Sequence, residues 1–216
     1  FASVATDRLM DTPSKSQSRN ARLNGVRMVG IGAAAPPTVL TNDDMSRLVD
    51  TSDEWIRSRT GIGERRVLAG KETLTDLCIH AAREALSSAG LEDGSGLELI
   101  IVATSTPDEL YPATAARVQH ALGARRAFGF DLALACTGFV SALVTAEQYL
   151  RSGLVKTAMV IGGDAHSRVM DWTDRNTCVL FGDGAGACIL VADAEHDDFY
   201  ASDSHLDGSK ADDLYA

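Results

Sequence analysis

Between Phe128 and Arg151 the hydrophobic pattern changes period at a single residue. An apolar, strand-like run, Phe128-Gly-Phe-Asp-Leu-Ala-Leu-Ala135, stops at Cys136, and from there Phe139, Leu143, Ala146 and Leu150 recur on one helical face. A strand feeding into a helix of this length is the unit from which parallel sheets are built. The alternation recurs along the chain. Residues 97–103 and 158–162 are continuous apolar runs of the kind buried on both faces of a sheet. Residues 73–89 form an amphipathic helix with Leu74, Leu77, Cys78, Ala81, Ala85 and Leu86 on one face and Gly90 as its stop. A further helix is expected over 113–122, and a last strand over 187–192. The pattern predicts an α/β fold with a mainly parallel, mixed sheet and helices on both faces.

Upstream, an apolar run from Val26 to Ala35 ends in Pro36-Pro37. Thr41 then caps a short helix, and Ser52 caps another that carries Trp55, Arg57 and Arg59 and is closed by Gly61. Residues 1–24 are rich in Ser, Thr, Asn and Arg and begin at Phe1. They are expected to be a flexible leader, a remnant of a targeting peptide. The folded unit is expected over 25–193. After Asp193 the sequence turns acidic and Ser-rich, so 194–216 reads as the start of a connection to further structure.

Composition excludes several classes. Twenty basic residues against thirty acidic ones leave a net charge of −10, which argues against a nucleic-acid partner. No run approaches the ~18–20 apolar residues of a membrane span. Four cysteines, Cys78, Cys136, Cys178 and Cys188, lie in separate segments with no C-x-x-C, so neither a metal site nor a disulfide framework is indicated.

In an α/β sheet, sites form beyond the carboxyl ends of the strands, which is where Cys136 falls. At the amino end of a helix the free N–H groups and the positive dipole stabilise a thiolate. On local sequence Cys136 is either a nucleophile or a buried structural thiol. His166 follows an apolar strand on the same edge and either pairs with that thiol or lines a loop. His80, His120, His196 and His205 read as structural or solvated. Gly182-x-Gly184-x-Gly186 has the wrong spacing for a dinucleotide loop and reads as a tight turn. Trp55 with Arg59 one turn on offers a flat π surface beside a permanent cation, suited to an adenine and its phosphates or simply a half-buried Trp beside a solvated Arg. Arg175 is a second flat cation in a polar loop.

Three stretches together resemble one family. Val49-Asp-Thr-Ser-Asp-Glu-Trp-Ile-Arg-Ser-Arg-Thr-Gly-Ile62, Ala135-Cys-Thr-Gly-Phe139 and Asp171-Trp-Thr-Asp-Arg-Asn-Thr-Cys-Val-Leu-Phe-Gly-Asp-Gly-Ala-Gly186 are similar to the β-ketoacyl-acyl-carrier-protein synthase III family, in unbroken order over its N-terminal portion. The resemblance implies a thiolase-like fold, of which the chain holds the N-terminal half, and a homodimer. It implies an acyltransferase that condenses acetyl-CoA with malonyl-acyl-carrier protein to acetoacetyl-carrier protein, carbon dioxide and CoA, initiating type II fatty acid synthesis with no cofactor.

By the same resemblance Cys136 is the nucleophile. Trp55 and Arg175 sandwich the adenine of CoA, Thr51 hydrogen-bonds it and Arg59 lies near the phosphates. Tyr111 and Phe181 belong to the acyl pocket, Tyr111 reaching across the dimer, and His166 stands where an apolar pocket residue is common. The catalytic His and Asn of the family match no residue here, so the chain alone is expected to be inactive. The phrasing of the motifs and the leader suggest the plastid stroma, with the bacterial cytoplasm as the alternative. Two other readings remain: a related CoA-dependent condensing enzyme, or a non-catalytic CoA-binding or dimerisation module.

Overall fold

The computed structural model describes residues 24–199 and 201–213. The expected leader therefore lies, apart from Asn24, outside the described residues. Seven strands and five helices follow in order: β1 (Gly25–Ala34), β2 (Val39–Thr41), α1 (Asn42–Met45), α2 (Asp53–Thr60), β3 (Glu64–Arg66), α3 (Leu74–Ser88), β4 (Leu99–Ala103), α4 (Thr114–Ala121), β5 (Phe128–Leu132), α5 (Gly138–Arg151), β6 (Thr157–Ala165) and β7 (Asp183–Asp193). The main sheet has the order β1-β7-β6-β4-β5, and β2 and β3 form a separate two-stranded ribbon.

The sheet is less parallel than expected. β4 runs parallel to β5 and to β6, each connection carrying a helix, whereas β7 is antiparallel to both β6 and β1. The cause is the link from β6 to β7. Residues 166–182 hold short turns and no crossover helix, so the chain returns in the opposite direction. Two of the three glycines expected to make a tight turn are strand residues: Gly184 pairs with Asp164 and Gly186 with Gly162, while Gly182 precedes β7. The β2–β3 ribbon was not expected at all, since strands of three residues are too short to show a period.

Every residue of β4 is buried, and its alternate side chains feed two cores. Ile100 and Val102 join Met159, Ile161 and Ile189 beneath α3 and α4. Leu99 and Ile101 join Val160, Leu190 and the Ala142, Ala146 and Leu150 face of α5 on the other side. Helices thus cover both faces, as the sequence pattern requires. A third, smaller core of Met45, Ile56, Cys178 and Val179, with Trp55 and Trp172 against it, ties α1 and α2 to the 166–182 excursion.

Helix starts follow local chemistry. Thr41 and Thr73 each close a capping box with an acid three residues on, Asp44 and Asp76, and Ser52 accepts from the Trp55 N–H. Gly61 ends α2 in the left-handed region at φ 75°, where a side chain would be strained. Asp108 adds a long-range tie to α3, accepting from the Leu74 and Thr75 N–H groups and the Thr75 hydroxyl at 3.0, 2.8 and 2.6 Å. Burial pushes its carboxyl upward, but these hydrogen bonds and the Arg168 charge outweigh it and hold the group below the usual range. Residues 194–198 lie along the outer edge of β1, where Asp197 and Asp198 accept from the Val26 and Met28 N–H groups. At the other end of the sheet, β5 pairs with β4 and with no other strand among the described residues.

Candidate active site

Cys136 lies where the pattern change put it, between the end of β5 and the start of α5, in a 3₁₀ turn spanning Ala135–Thr137. It is exposed, while Cys78, Cys178 and Cys188 are buried. Burial pushes the Cys78 and Cys188 thiols up to about 12, with nearby carboxylates adding to the effect at Cys78. Those two thiols are therefore inert near neutral pH.

Backbone strain presents the exposed sulfur. Ala135 adopts φ 44°, and it is the only non-glycine residue with positive φ among the described residues. A left-handed alanine costs about 1–2 kcal/mol and persists only where the surroundings enforce it. Here it makes the sharp reversal that lifts Cys136 off the strand. Neither the 3₁₀ turn nor α5 has a side-chain cap. The Thr137 and Gly138 N–H groups after the thiol bond back to the Leu134 and Ala135 carbonyls, and the positive end of the helix dipole lies at this turn. Behind the turn, Phe139 packs on Gly162 of β6, where an added Cβ would lie 2.9 Å from the ring.

The second cluster gathers residues far apart in sequence. The guanidinium carbons of Arg59 and Arg175 each sit 4.5 Å from the centroid of the half-buried Trp55 ring. Arg175 is held there by an Nη1 hydrogen bond to the Asp50 carbonyl at 2.8 Å. The expected trio is therefore assembled, but the gap for a sandwiched base is closed. A flat ring with both faces in contact needs walls about 7 Å apart. Arg175 would have to withdraw by about 2.5 Å, giving up its cation–π attraction to Trp55. Beside them, the Thr51 hydroxyl oxygen is buried without a hydrogen-bond partner. An orphaned hydroxyl next to a flat aromatic and two cations fits a ligand that carries a base and phosphates.

The acyl-pocket candidates are not brought together within this chain. Phe181 stacks on His166, ring centroids 4.8 Å apart and planes 14° apart. Tyr111 is 88% exposed and makes no ring contact among the described residues. His166 makes no hydrogen bond to Cys136 among the described residues, and its partner is the Phe181 ring.

Several positioning groups left no mark in the sequence. Asp183, 7% exposed, accepts from the Leu68 N–H at 2.7 Å, the Ser167 N–H at 2.9 Å and the Ser167 hydroxyl. Asp164 gathers Thr104, Ser105 and Thr106 just beyond β4. Asp131 accepts from the Thr114 and Ala115 N–H groups at the start of α4. These three carboxylates fix the loops at the carboxyl edge of the sheet. Their partners lie 16 to 115 residues away, beyond any local pattern.

A family model described as 3-oxoacyl-[acyl-carrier-protein (ACP)] synthase III matches residues 130–208. A β-ketoacyl-[acyl-carrier-protein] synthase III of Synechococcus elongatus is 54% identical over 186 residues, covering 86% of this chain and 55% of the relative. Among solved structures, the 3-oxoacyl-[acyl-carrier-protein] synthase III of Aquifex aeolicus aligns with TM-score 0.76 at 47% identity, over 79% of this chain and 55% of that one. The priming β-ketosynthase of the R1128 polyketide pathway aligns with TM-score 0.77 at 35% identity, over 80% and 52%. The chain spans about half the length of the relatives it matches. Its mixed sheet with helices on both faces is the corresponding part of the thiolase-like fold. The family match runs through the exposed cysteine at the β5–α5 turn, and the chain is similar to 3-oxoacyl-[acyl-carrier-protein] synthase III proteins over about half of their length.

Proposed function

We propose that this chain supplies the acyl-accepting and CoA-binding part of a β-ketoacyl-acyl-carrier-protein synthase III. The observation that carries the reading is Cys136, exposed on an uncapped helix start by a strained alanine. The Cys136 sulfur attacks the carbonyl carbon of acetyl-CoA, a sulfur–carbon bond forms, and CoA leaves as its thiolate. The Cys136 N–H, at the helix start, helps hold the thioester oxygen as charge builds there. Loss of carbon dioxide from malonyl-acyl-carrier protein gives the carbanion that attacks the acetyl-enzyme. This yields acetoacetyl-carrier protein and frees Cys136. The groups that stabilise that carbanion have no counterpart in residues 1–216, which by themselves complete no condensation. The reaction uses no cofactor besides its substrates.

CoA lies with its adenine on Trp55 once Arg175 lifts to the outer face of the base. Thr51 then gains the partner it lacks, and Arg59 faces the phosphates. Phe181, with His166 stacked on it, forms one wall of the acyl pocket. The exposed Tyr111 reaches the pocket of a second copy. Homodimer formation is supported by the free edge of β5 and by Leu134, Phe139 and Val140, all apolar and exposed after it. The resemblance to plastid and cyanobacterial sequences suggests the plastid stroma, with a bacterial cytoplasm second. No helix among the described residues is long and apolar enough to cross a membrane. A priming ketosynthase would use the same cysteine chemistry, and its lower identity among the solved structures, 35% against 47%, ranks that reading second.

The test is intact mass spectrometry of the full-length enzyme before and after incubation with acetyl-CoA. One added acetyl group on the peptide containing Cys136 supports the reading, and acetylation elsewhere or none refutes it. The orphaned hydroxyl gives a second check. Thr51→Val is expected to leave the free protein as stable or slightly more so, since it removes a buried unpaired group. CoA binding by titration calorimetry is expected to weaken about five- to tenfold, for the loss of one hydrogen bond. Unchanged affinity would remove Thr51 from the site.

A further inference from the structure

We infer that Arg65, acting with Asn42, is a positioning residue that sets the spacing between the two walls of the Trp55–Arg175 slot. The inference rests on the CoA reading of that slot. Arg65 lies on β3, away from the ring cluster, and is only 6% exposed. Its Nη1 donates to the Leu40 carbonyl at 3.2 Å, and its Nη2 to Asn42 Oδ1 at 2.8 Å and to the Val179 carbonyl at 3.2 Å. Its Nε is buried without a partner. Arg65 forms no ion pair among the described residues, so every acceptor it reaches is neutral.

A buried guanidinium with neutral acceptors and one orphaned N–H is a poor way to gain stability. An apolar side chain of similar length would fill the space without the desolvation cost. What Arg65 does provide is a rigid fork that joins two segments. On one side is the Val179 carbonyl, four residues after Arg175. The chain between them is a tight turn, in which the Thr177 and Cys178 N–H groups both bond the Asp174 carbonyl. On the other side is Asn42, 2% exposed, whose Nδ2 donates to Asp53 Oδ1 and to the Ile62 carbonyl, both at 2.8 Å. Asp53 is in the first turn of α2, two residues before Trp55, and Ile62 follows the end of that helix.

One guanidinium therefore references both walls, α2 through Asn42 and the Arg175 loop through Val179. With the loop backbone anchored, the slot opens by movement of the Arg175 side chain alone. Position errors of an ångström at such a slot are felt at the reacting carbon through the bound substrate.

The test compares two acetyl donors on the full-length enzyme, acetyl-CoA and acetyl-pantetheine, which lacks the nucleotide. Arg65→Lys keeps the charge and loses the fork. It is expected to lower kcat/KM for acetyl-enzyme formation from acetyl-CoA about tenfold, while the acetyl-pantetheine rate stays within about twofold. Equal losses on both donors would mean a merely structural role, and no loss on either would mean no role; both overturn the proposal. Asn42→Ser, which breaks the link to α2 and spares the Val179 bond, should show the same selective loss. It decides the matter by the same criteria if the lysine variant does not fold. Trp55→Ala is the control for the slot. If it slows both donors equally, the CoA reading fails and the proposal with it; if it is selective and Arg65→Lys is not, only the proposal fails.

Discussion

Replacing Cys136 by serine in the full-length enzyme is expected to lower acetyl-enzyme formation from acetyl-CoA by about 1,000-fold or more. Serine keeps the shape of the side chain and loses the nucleophile. An alcohol at this position is essentially un-ionised and attacks a thioester far more slowly than a thiolate. Serine differs from cysteine by one atom, so the substitution is expected to change unfolding free energy by no more than about 1 kcal/mol, and a melt separates lost chemistry from lost fold. The measurement is the rate of acetyl incorporation by mass spectrometry, with a urea melt beside it. Undiminished labelling would take Cys136 out of the mechanism. In that case the strain at Ala135 and the bare start of α5 would need another explanation.

Gly32→Val is expected to destabilise the protein by about 3 kcal/mol or more, a larger change than any surface substitution should give. Helix α3 lies directly on β1, and a Cβ at Gly32 would be 2.3 Å from the Ala81 carbonyl and 2.4 Å from the Ala85 nitrogen. Both obstacles are backbone, so no rotamer change makes room and the helix itself must move. Gly30, one strand pair further back, meets the Ala85 carbonyl at 2.4 Å. Small residues Ala81 and Ala85 on the helix answer the glycines on the strand, and together they permit this close approach. Gly96→Ala is the matched control. Nothing lies within 4 Å of its added Cβ, and the expected change is within about 0.5 kcal/mol. Urea midpoints of the two variants check this, and a Gly32→Val midpoint equal to wild type would refute the packing argument.

The parts of the fold legible in sequence were those written in short-range periods. The strand-to-helix change at Cys136, the caps at Thr41 and Ser52 and the fully apolar run that became β4 all follow from neighbours within a turn or a few strand residues. The resemblance read from three motifs likewise named the proteins to which the comparisons find the chain similar. Direction of pairing was less legible, because a strand's own residues do not say which way its neighbour runs. β7 became antiparallel only because the segment before it lacks a helix.

The site divides along the same line. By itself the sequence determined that a cysteine sits where a strand meets a helix. It also determined that Trp55 and Arg59 share a helical face, since each is a matter of spacing along one element. Tertiary structure alone decided that Ala135 turns left-handed to expose the thiol, and that Arg175 crosses from a distant loop to close on Trp55. It alone made Arg65 a buried tie on the Arg175 loop, and made Asp164 and Asp183 the acceptors that fix loops at the carboxyl edge of the sheet. The physical reason is one of range. Hydrophobic period and capping act over a few residues. Burial of a charge and the meeting of two loops depend on groups tens of residues to more than a hundred residues apart, brought together only when the cores close.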